Sequence, residues 1–462
     1  MTTFTETISD NYNAYPEEKI IGFFQGSQPS LVIKDPELIK YINVVDFNYF
    51  NFRDIEKNSN EQLNTNLFHA TGESWRFLRQ KLTAAFSHRK LQRMFPHIIR
   101  CSGRLQELGH RVVSKGGVVD AYHMMSRYTM EFIATCGMGI DIDIILDENC
   151  DFFNFSIKAF KRSTFQIIRI MLNDISPKWL QLSCFIDPKI KRFLNELAYN
   201  ICKNRSFKPS SRNDFVDFML EMQSENTNDE FGQKNSPDKS PFVLDMSNPK
   251  IIAEQVSMFF VAGFETTASS TSFTLHQLAY HTKIQRKIQN QIDNILSEYE
   301  NKLCYEALTK MTYLEMAFLE AMRILPPAGF LKRKCMKEYT LPGSNVTIDP
   351  GVSLVVPIQA IHMDEKYYPN PHEFNPERFA PNVIEGQNKF VYMAFGSGKR
   401  TCIGRRLGIL QSMAGLAAVL QKFNVEPGPT SRRDVRPNRK CQFVQNLEKV
   451  PIKLVARNST LV

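Results

Sequence analysis

Along most of the chain, apolar residues return every three or four positions, as they do on one face of a helix turned toward a core. This rhythm predicts amphipathic helices over 72–95, 119–138, 190–203, 250–280, 283–298, 312–325 and 404–422. A different rhythm occupies 335–360. There "YTLPGSNVTIDPGVSLVVP" alternates β-branched residues with Pro-Gly punctuation and predicts a small sheet. A second short β segment is expected near 441–456. The polar run "SENTNDEFGQKNSPDKS" (224–240) has neither period and reads as a mobile internal loop. No internal repeat is present. The pattern is that of a mainly α protein with a small β lobe, organised as one domain over 1–462.

Composition narrows the class. With 462 residues, 43% hydrophobic and 23% charged, the chain can bury a large core. Lys plus Arg exceed Asp plus Glu by 57 − 48 = +9. Between Ser74 and Gln106 lie eight basic residues and no acid, and between Ala394 and Ile409 four and none. Such patches suit an acidic protein, a nucleic acid or an anionic membrane. The nine cysteines are odd in number, scattered, and never spaced C-x-x-C. That argues against a disulfide framework and a zinc site, and for a reducing compartment. The first twenty residues hold no apolar run, so neither a signal peptide nor a spanning helix is expected there.

Four motifs carry candidate chemistry. In "FGSGKRTCIGRRLG" (Phe395–Gly408) one cysteine, Cys402, stands among four glycines and four basic residues ahead of an apolar-periodic helix. A helix start and nearby cations favour a thiolate. Gly396, Gly398 and Gly404 would leave room for a flat, bulky object on which Phe395 packs. In "EAMR", Glu320 and Arg323 lie three apart within the apolar "MAFLEAMRILPP", and a buried ion pair needs further partners. In "AGFETT", Gly263 weakens a long helix capped by Asn248 and Pro249, and it adjoins Ala262. Glu265 and Thr266 follow; Thr266 could instead bond back to the carbonyl one turn earlier. In "WRFLR", Trp75 and Arg79 share a helix face and could both bind a carboxylate.

The spacing F-G-x-G-x-R-x-C-x-G resembles the haem-binding loop of the cytochromes P-450, where a cysteine thiolate is the proximal iron ligand. Lys399 stands where that family often has proline. The match extends from about Asp35 to the C-terminus, and segments such as "LFHATGESWRFLRQKLTAAFS" look most like microsomal, xenobiotic-metabolising members of insects. The resemblance implies haem b, sandwiched between the long central helix and the helix after the Cys loop. It implies Cys402 as the metal ligand, with Trp75, Arg79, Arg333 and Arg400 on the haem propionates and Ala262, Phe395 and Gly404 against the ring. It implies Glu265 and Thr266 as a proton relay for dioxygen. Glu320, Arg323 and Arg378 (from "FNPERF") would form a structural clamp, with His362 and Asp364 also structural. Phe259, Phe260 and Ala262 would face a substrate cavity, and Phe330 would line it.

The function so implied is a monooxygenase acting on a lipophilic small molecule, xenobiotic or endogenous. Electrons would come from NADPH through a flavoprotein reductase, whose acidic face would meet Lys399, Arg400, Arg405, Arg406 and the helix from Arg79 to Arg93. Nucleic acid is not expected as a partner, because no nucleic-acid motif is present. The alternatives are a haem-binding carrier or sensor without oxygen chemistry, and an enzyme that rearranges peroxides. Microsomal members carry an N-terminal anchor, which this chain is expected to lack. The expected location is the cytoplasmic face of the endoplasmic reticulum membrane, with "FQIIRIMLNDISPKWLQLSCFI" (165–186) either dipping into the surface or packing in the core.

Overall fold

The computed structural model describes residues 2–54, 65–160, 188–228 and 248–435, and near the C-terminus 437–438, 444–445, 447 and 449–457. Its axis is the helix Pro249–Tyr280. Asn248 caps it, its side chain accepting from the Lys250 N–H, and Pro249 fills the first turn, where no N–H is needed. Twenty-two of its residues are buried, so the helix threads the core rather than lying on it. It packs against the helices Ala121–Phe132, Pro188–Asn204, Thr312–Ile324 and Arg405–Lys422.

The expected helices at 190–203, 250–280, 283–298, 312–325 and 404–422 appear as Pro188–Asn204, Pro249–Tyr280, Thr282–Ser297, Thr312–Ile324 and Arg405–Lys422. The one expected at 72–95 is two. Gly72–Thr83 ends in a 3-10 turn, Ala84–Phe86, and a new helix, His88–Ser114, starts after extended Ser87. That second helix runs through Pro96, which the local sequence marks as a breaker, because its strongly one-sided apolar face is held by the core. At 119–138 the α-helix gives way to a π-helical turn, Ile133–Met138, ended by left-handed Gly139.

Strands β1 (Ile20–Gln25) and β2 (Gln28–Ile33) form a hairpin that was not expected, turning at Gly26 with φ +62°. Strand β3 is Val118–Asp120, β4 Leu331–Lys334, β5 Tyr339–Thr340, β6 Thr347–Ile348 and β7 Ser353–Val356. Strands β8 (Phe423–Pro427) and β9 (Pro451–Ala456) close the chain. The larger sheet has the order β1-β2-β7-β4, with β2 and β7 parallel; a second has the order β3-β9-β8. The β lobe lies beside the helical body and has its own small core.

The polar run at 224–240 is helical at its start, since Phe215–Asn228 is a helix; its remainder lies outside the described residues. The stretch 165–186 also lies outside them. Among the described residues, no helix is long and apolar enough to cross a membrane.

Candidate functional site

The loop around Cys402 closes on one carbonyl. Phe395 O accepts from the Cys402 N–H at 2.8 Å and from the Thr401 hydroxyl at 3.2 Å. Gly404 is the N-cap of the following helix, so Cys402 precedes the cap rather than standing in the first turn. Burial pushes its thiol up; the Gly404 N–H, Arg53, Arg79 and Arg405 pull it back toward the thiolate. The side chain lies deep within the chain yet is exposed, so it opens on an internal space. Gly396 and Gly398 have left-handed φ of +74° and +68°. A Cβ on Gly398 would sit 2.1 Å from the Asn43 carbonyl, and one on Gly404 would find only Phe86, at 3.8 Å. The bareness at Gly398 therefore serves the loop's turn and its seat on Asn43, while a Cβ on Gly396 would meet nothing nearer than Thr401 at 3.8 Å and its bareness serves the left-handed turn.

Four arginines converge beside this loop. Arg400 is buried, its guanidinium 4.6 Å over the Trp75 ring and its Nη2 donating to Ala70 O at 2.5 Å. Arg53 donates to Arg400 O at 3.2 Å and stacks 4.4 Å from the Phe68 ring. Arg79 donates to Thr401 O at 2.8 Å, and Arg333 to Lys332 O at 2.8 Å. Burial and mutual repulsion push Arg400 down to about 8, Arg333 to about 9 and Arg53 to about 10. Arg79 is lowered by burial alone. A guanidinium does not give up its proton readily, so these shifts express a need for negative charge. No carboxylate among the described residues pairs with any of the four. Among the described residues, buried Nε of Arg333 and Nε and Nη1 of Arg400 have no hydrogen-bond partner. The cluster fits a pair of carboxylates brought by a ligand.

Arg53 escaped the sequence reading. Its one signal is a lone cation in the aromatic run "FNYFNFRD". Its neighbour Phe52 bridges to Lys334, which puts Arg53 beside Arg333.

On the central helix Ala262 is exposed between buried Val261 and Phe264, with Glu265 and Thr266 half-buried one turn on. The Thr266 hydroxyl donates to Ala262 O at 2.7 Å, the back-bond weighed as an alternative. Gly263 does not face the same space. A Cβ there would meet Ile133 at 3.0 Å, and one on Gly137 would meet Phe259 at 2.7 Å. The two glycines let the central helix and the π-helical turn approach closely.

The aromatic assignments change. Phe260 is fully buried with its ring 5.8 Å from Phe152. Phe259 is half-buried and stacks 4.4 Å from Phe215, beside Phe86. Phe330 packs 4.8 Å from Phe4 of the N-terminal helix, in a cluster with Ile8, Ile21, Val32 and Val355. Phe260 and Phe330 are buried in packing, and Phe259 packs too but keeps part of its surface open. The helix is apolar on all sides, so its periodicity could not mark the inward face.

Glu320, Arg323 and Arg378 come together. Arg323 grips Glu320 through Nε at 2.7 Å and Nη2 at 2.9 Å, and Arg378 approaches it at 3.4 Å. Arg323 also donates to His362 O at 2.7 Å and Pro371 O at 2.6 Å. His362 accepts from the Met393 N–H at 2.9 Å, two residues before Phe395, and its ring stacks on Tyr392. The cluster thus reaches the start of the Cys loop. Asp364 accepts from the Tyr12 hydroxyl at 2.6 Å.

Of the basic patch, Lys90 and Arg93 both lie near Glu221, and Arg79 is turned to Thr401. Arg89, Lys399, Arg405 and Arg406 remain exposed, with Lys399 over Phe47 and Arg405 over Phe395.

No group of three or more His, Cys, Asp or Glu among the described residues could hold a bare metal ion. Iron at Cys402 would therefore need a macrocycle for its remaining ligands. Comparison with known proteins agrees with this donor set. The family model for cytochrome P-450 matches residues 3–454. Cytochrome P-450 6B6 of Helicoverpa armigera is 34% identical over 93% of this chain and 84% of its own. Cytochrome P-450 9e2 of Blattella germanica is 32% identical (92% and 83%), and cytochrome P-450 6a8 of Drosophila melanogaster 30% (90% and 82%).

Proposed function

The chain belongs to the cytochrome P-450 family of haem-thiolate monooxygenases, and we propose that it oxidises a lipophilic small molecule, xenobiotic or endogenous, with electrons from NADPH through a flavoprotein reductase. The observation that carries the site is the arginine cluster without counter-charge next to Cys402. Arg53, Arg79, Arg333 and Arg400, with Trp75 beneath Arg400, would hold the two carboxylates of haem b, and Cys402 its iron. When bound, haem supplies the iron at which dioxygen is activated, and the thiolate favours O–O cleavage by pushing electron density toward it.

The protein's own residues supply position and protons. Burial raises the Cys402 thiol, and the Gly404 N–H and the cations Arg53, Arg79 and Arg405 oppose that rise in favour of the thiolate a metal would bind. Thr266, its proton committed to Ala262 O, presents its oxygen as an acceptor; rotating the hydroxyl turns it into a donor. Glu265, the preceding residue and half-buried, would recharge that hydroxyl. Ala262, exposed between buried Val261 and Phe264, would offer substrate an apolar contact, with half-buried Phe259 one turn before it. The exposed Arg89, Lys399, Arg405 and Arg406 suit an acidic reductase surface, and the family resemblance to microsomal members supports the endoplasmic reticulum membrane as the location.

The deciding experiment measures product formed per NADPH with a purified reductase and a panel of lipophilic compounds. Haem fully bound with no product from any compound would favour a carrier or sensor; turnover without reductase would favour peroxide rearrangement. Cys402→Ser should abolish the thiolate-type absorbance of the reduced carbon monoxide complex. Thr266→Ala should keep haem but divert NADPH into peroxide, and an unchanged product yield would remove Thr266 from the relay.

A further inference from the structure

The turn Thr65–Ala70 lies between the central helix and the arginine cluster, and both sides hold it by hydrogen bonds. On the helix side, the buried Gln255 side chain reads its backbone in two directions. Its Oε1 accepts from the Leu67 N–H at 2.9 Å, and its Nε2 donates to Thr65 O at 2.7 Å. The same Nε2 is braced on Ile251 O at 3.3 Å, and Glu254 accepts from the Thr65 hydroxyl. An amide bonded in this way fixes the turn as a neighbouring strand would, and any smaller or apolar side chain leaves two part-buried backbone groups without that partner. Asn66 stiffens the turn from within, accepting from the Phe68 and His69 N–H groups at 3.2 and 3.1 Å.

On the other side, the turn supplies the seats of two arginines. Ala70 O takes Arg400 at 2.5 Å, and the Phe68 ring takes Arg53 at 4.4 Å. Both seats are neutral, so they orient the guanidiniums without neutralising them. Nε and Nη1 of Arg400 remain for another partner.

We propose that Gln255 is a positioning residue for the carboxylate cradle: through the turn Thr65–Ala70 it sets the aim of Arg53 and Arg400 without touching the ligand itself. The inference rests on the reading that these arginines bind the haem carboxylates. It makes the central helix, which carries Thr266, part of the scaffold of the carboxylate end of the site as well.

The test uses the holoenzyme as Gln255→Leu and as the isosteric Gln255→Glu, which keeps the acceptor for Leu67 but loses the donor to Thr65. Haem release to excess apomyoglobin is timed, and the haem propionate bending band is read by resonance Raman. Release should quicken about tenfold in Gln255→Leu and less in Gln255→Glu, the scale of one or two lost hydrogen bonds. The propionate band should move in both variants while the iron–sulfur stretch stays. Faster release with an unmoved propionate band would make Gln255 merely structural, and no change in either would also overturn the proposal. If Gln255→Leu does not fold, Gln255→Glu decides alone. Arg400→Gln separates the two levels. If it moves the band and the Gln255 variants do not, only the role of Gln255 falls. If it leaves the band unmoved, the carboxylate reading itself falls.

Discussion

Arg323 is fully buried and every nitrogen of its guanidinium is bonded, to Glu320 and to the His362 and Pro371 carbonyls. Arg400 is nearly as buried, yet among the described residues Nε and Nη1 have no hydrogen-bond partner, and the charges that act on it are those of three more arginines. Both regions hold cations out of water, which is costly unless they are paired. In the first, the chain supplies the anion; in the second, it supplies neutral carbonyls and aromatic rings that aim the cations and leave them positive. A saturated cluster can only brace the fold. An unsaturated one stores an unmet electrostatic demand that an anionic ligand relieves, so binding that ligand also stabilises the protein. The completed cluster reaches Met393 through His362, and the incomplete one includes Arg400, so they hold the Cys loop from its two ends.

If that contrast is right, the same kind of substitution acts oppositely in the two regions. The largest effect is expected from Glu320→Gln, which strands Arg323 and Arg378. Breaking a buried pair in this way costs about 3–5 kcal/mol, read as a fall in unfolding free energy in urea whether or not haem is present. Arg400→Gln should leave the haem-free protein no less stable, because it removes an unmatched buried charge. It should accelerate haem release about 10- to 100-fold, the worth of a charge-assisted bond of about 1.5–3 kcal/mol. Equal losses of haem-free stability in both variants would erase the distinction.

These two regions were not equally readable in the sequence. Glu320 and Arg323 lie three apart on one helix, and the Cys402 loop is a contiguous string, so local spacing revealed them. Arg53 joins the cluster only because Phe52 bridges to Lys334, a pairing across the chain that no local pattern encodes. The hairpin β1–β2 reaches its sheet by the same kind of distant pairing, with β7. Bare positions were seen, but what fills the space beside them was not. Gly263 accommodates Ile133, and Gly398 the Asn43 carbonyl. Phe259, Phe260 and Phe330 were assigned inward because an all-round apolar helix and an apolar loop give no period from which to read a face.

His362 makes the completed cluster sensitive to acid. Burial, then the charge of Arg323, push its imidazole down to about 3, so the folded protein keeps it neutral. Below its ordinary value of about 6.5 the unfolded chain takes up a proton that the folded one cannot. Stability should therefore be fully present above that pH and fall as pH drops from about 6.5 toward 3. His362→Gln should weaken the fold at neutral pH, since it disturbs the bond to Met393, and flatten the loss over that window. An unchanged slope would mean that other groups carry the acid response.

The smallest effect tests what kind of cation the incomplete cluster needs. Arg53 lies 4.4 Å over the Phe68 ring and donates to the Arg400 carbonyl, which makes it a support for Arg400 as well as a charge. Arg53→Lys keeps the charge but gives up the flat stacking and the fork of donors. A stack of this kind is worth about 0.5–1 kcal/mol, so haem release should quicken only about two- to fivefold, with the propionate band nearly in place. Release as fast as in Arg400→Gln would show instead that the fork of Arg53 carries as much of the grip on the carboxylates as Arg400 does, and that a charge without the fork cannot replace it.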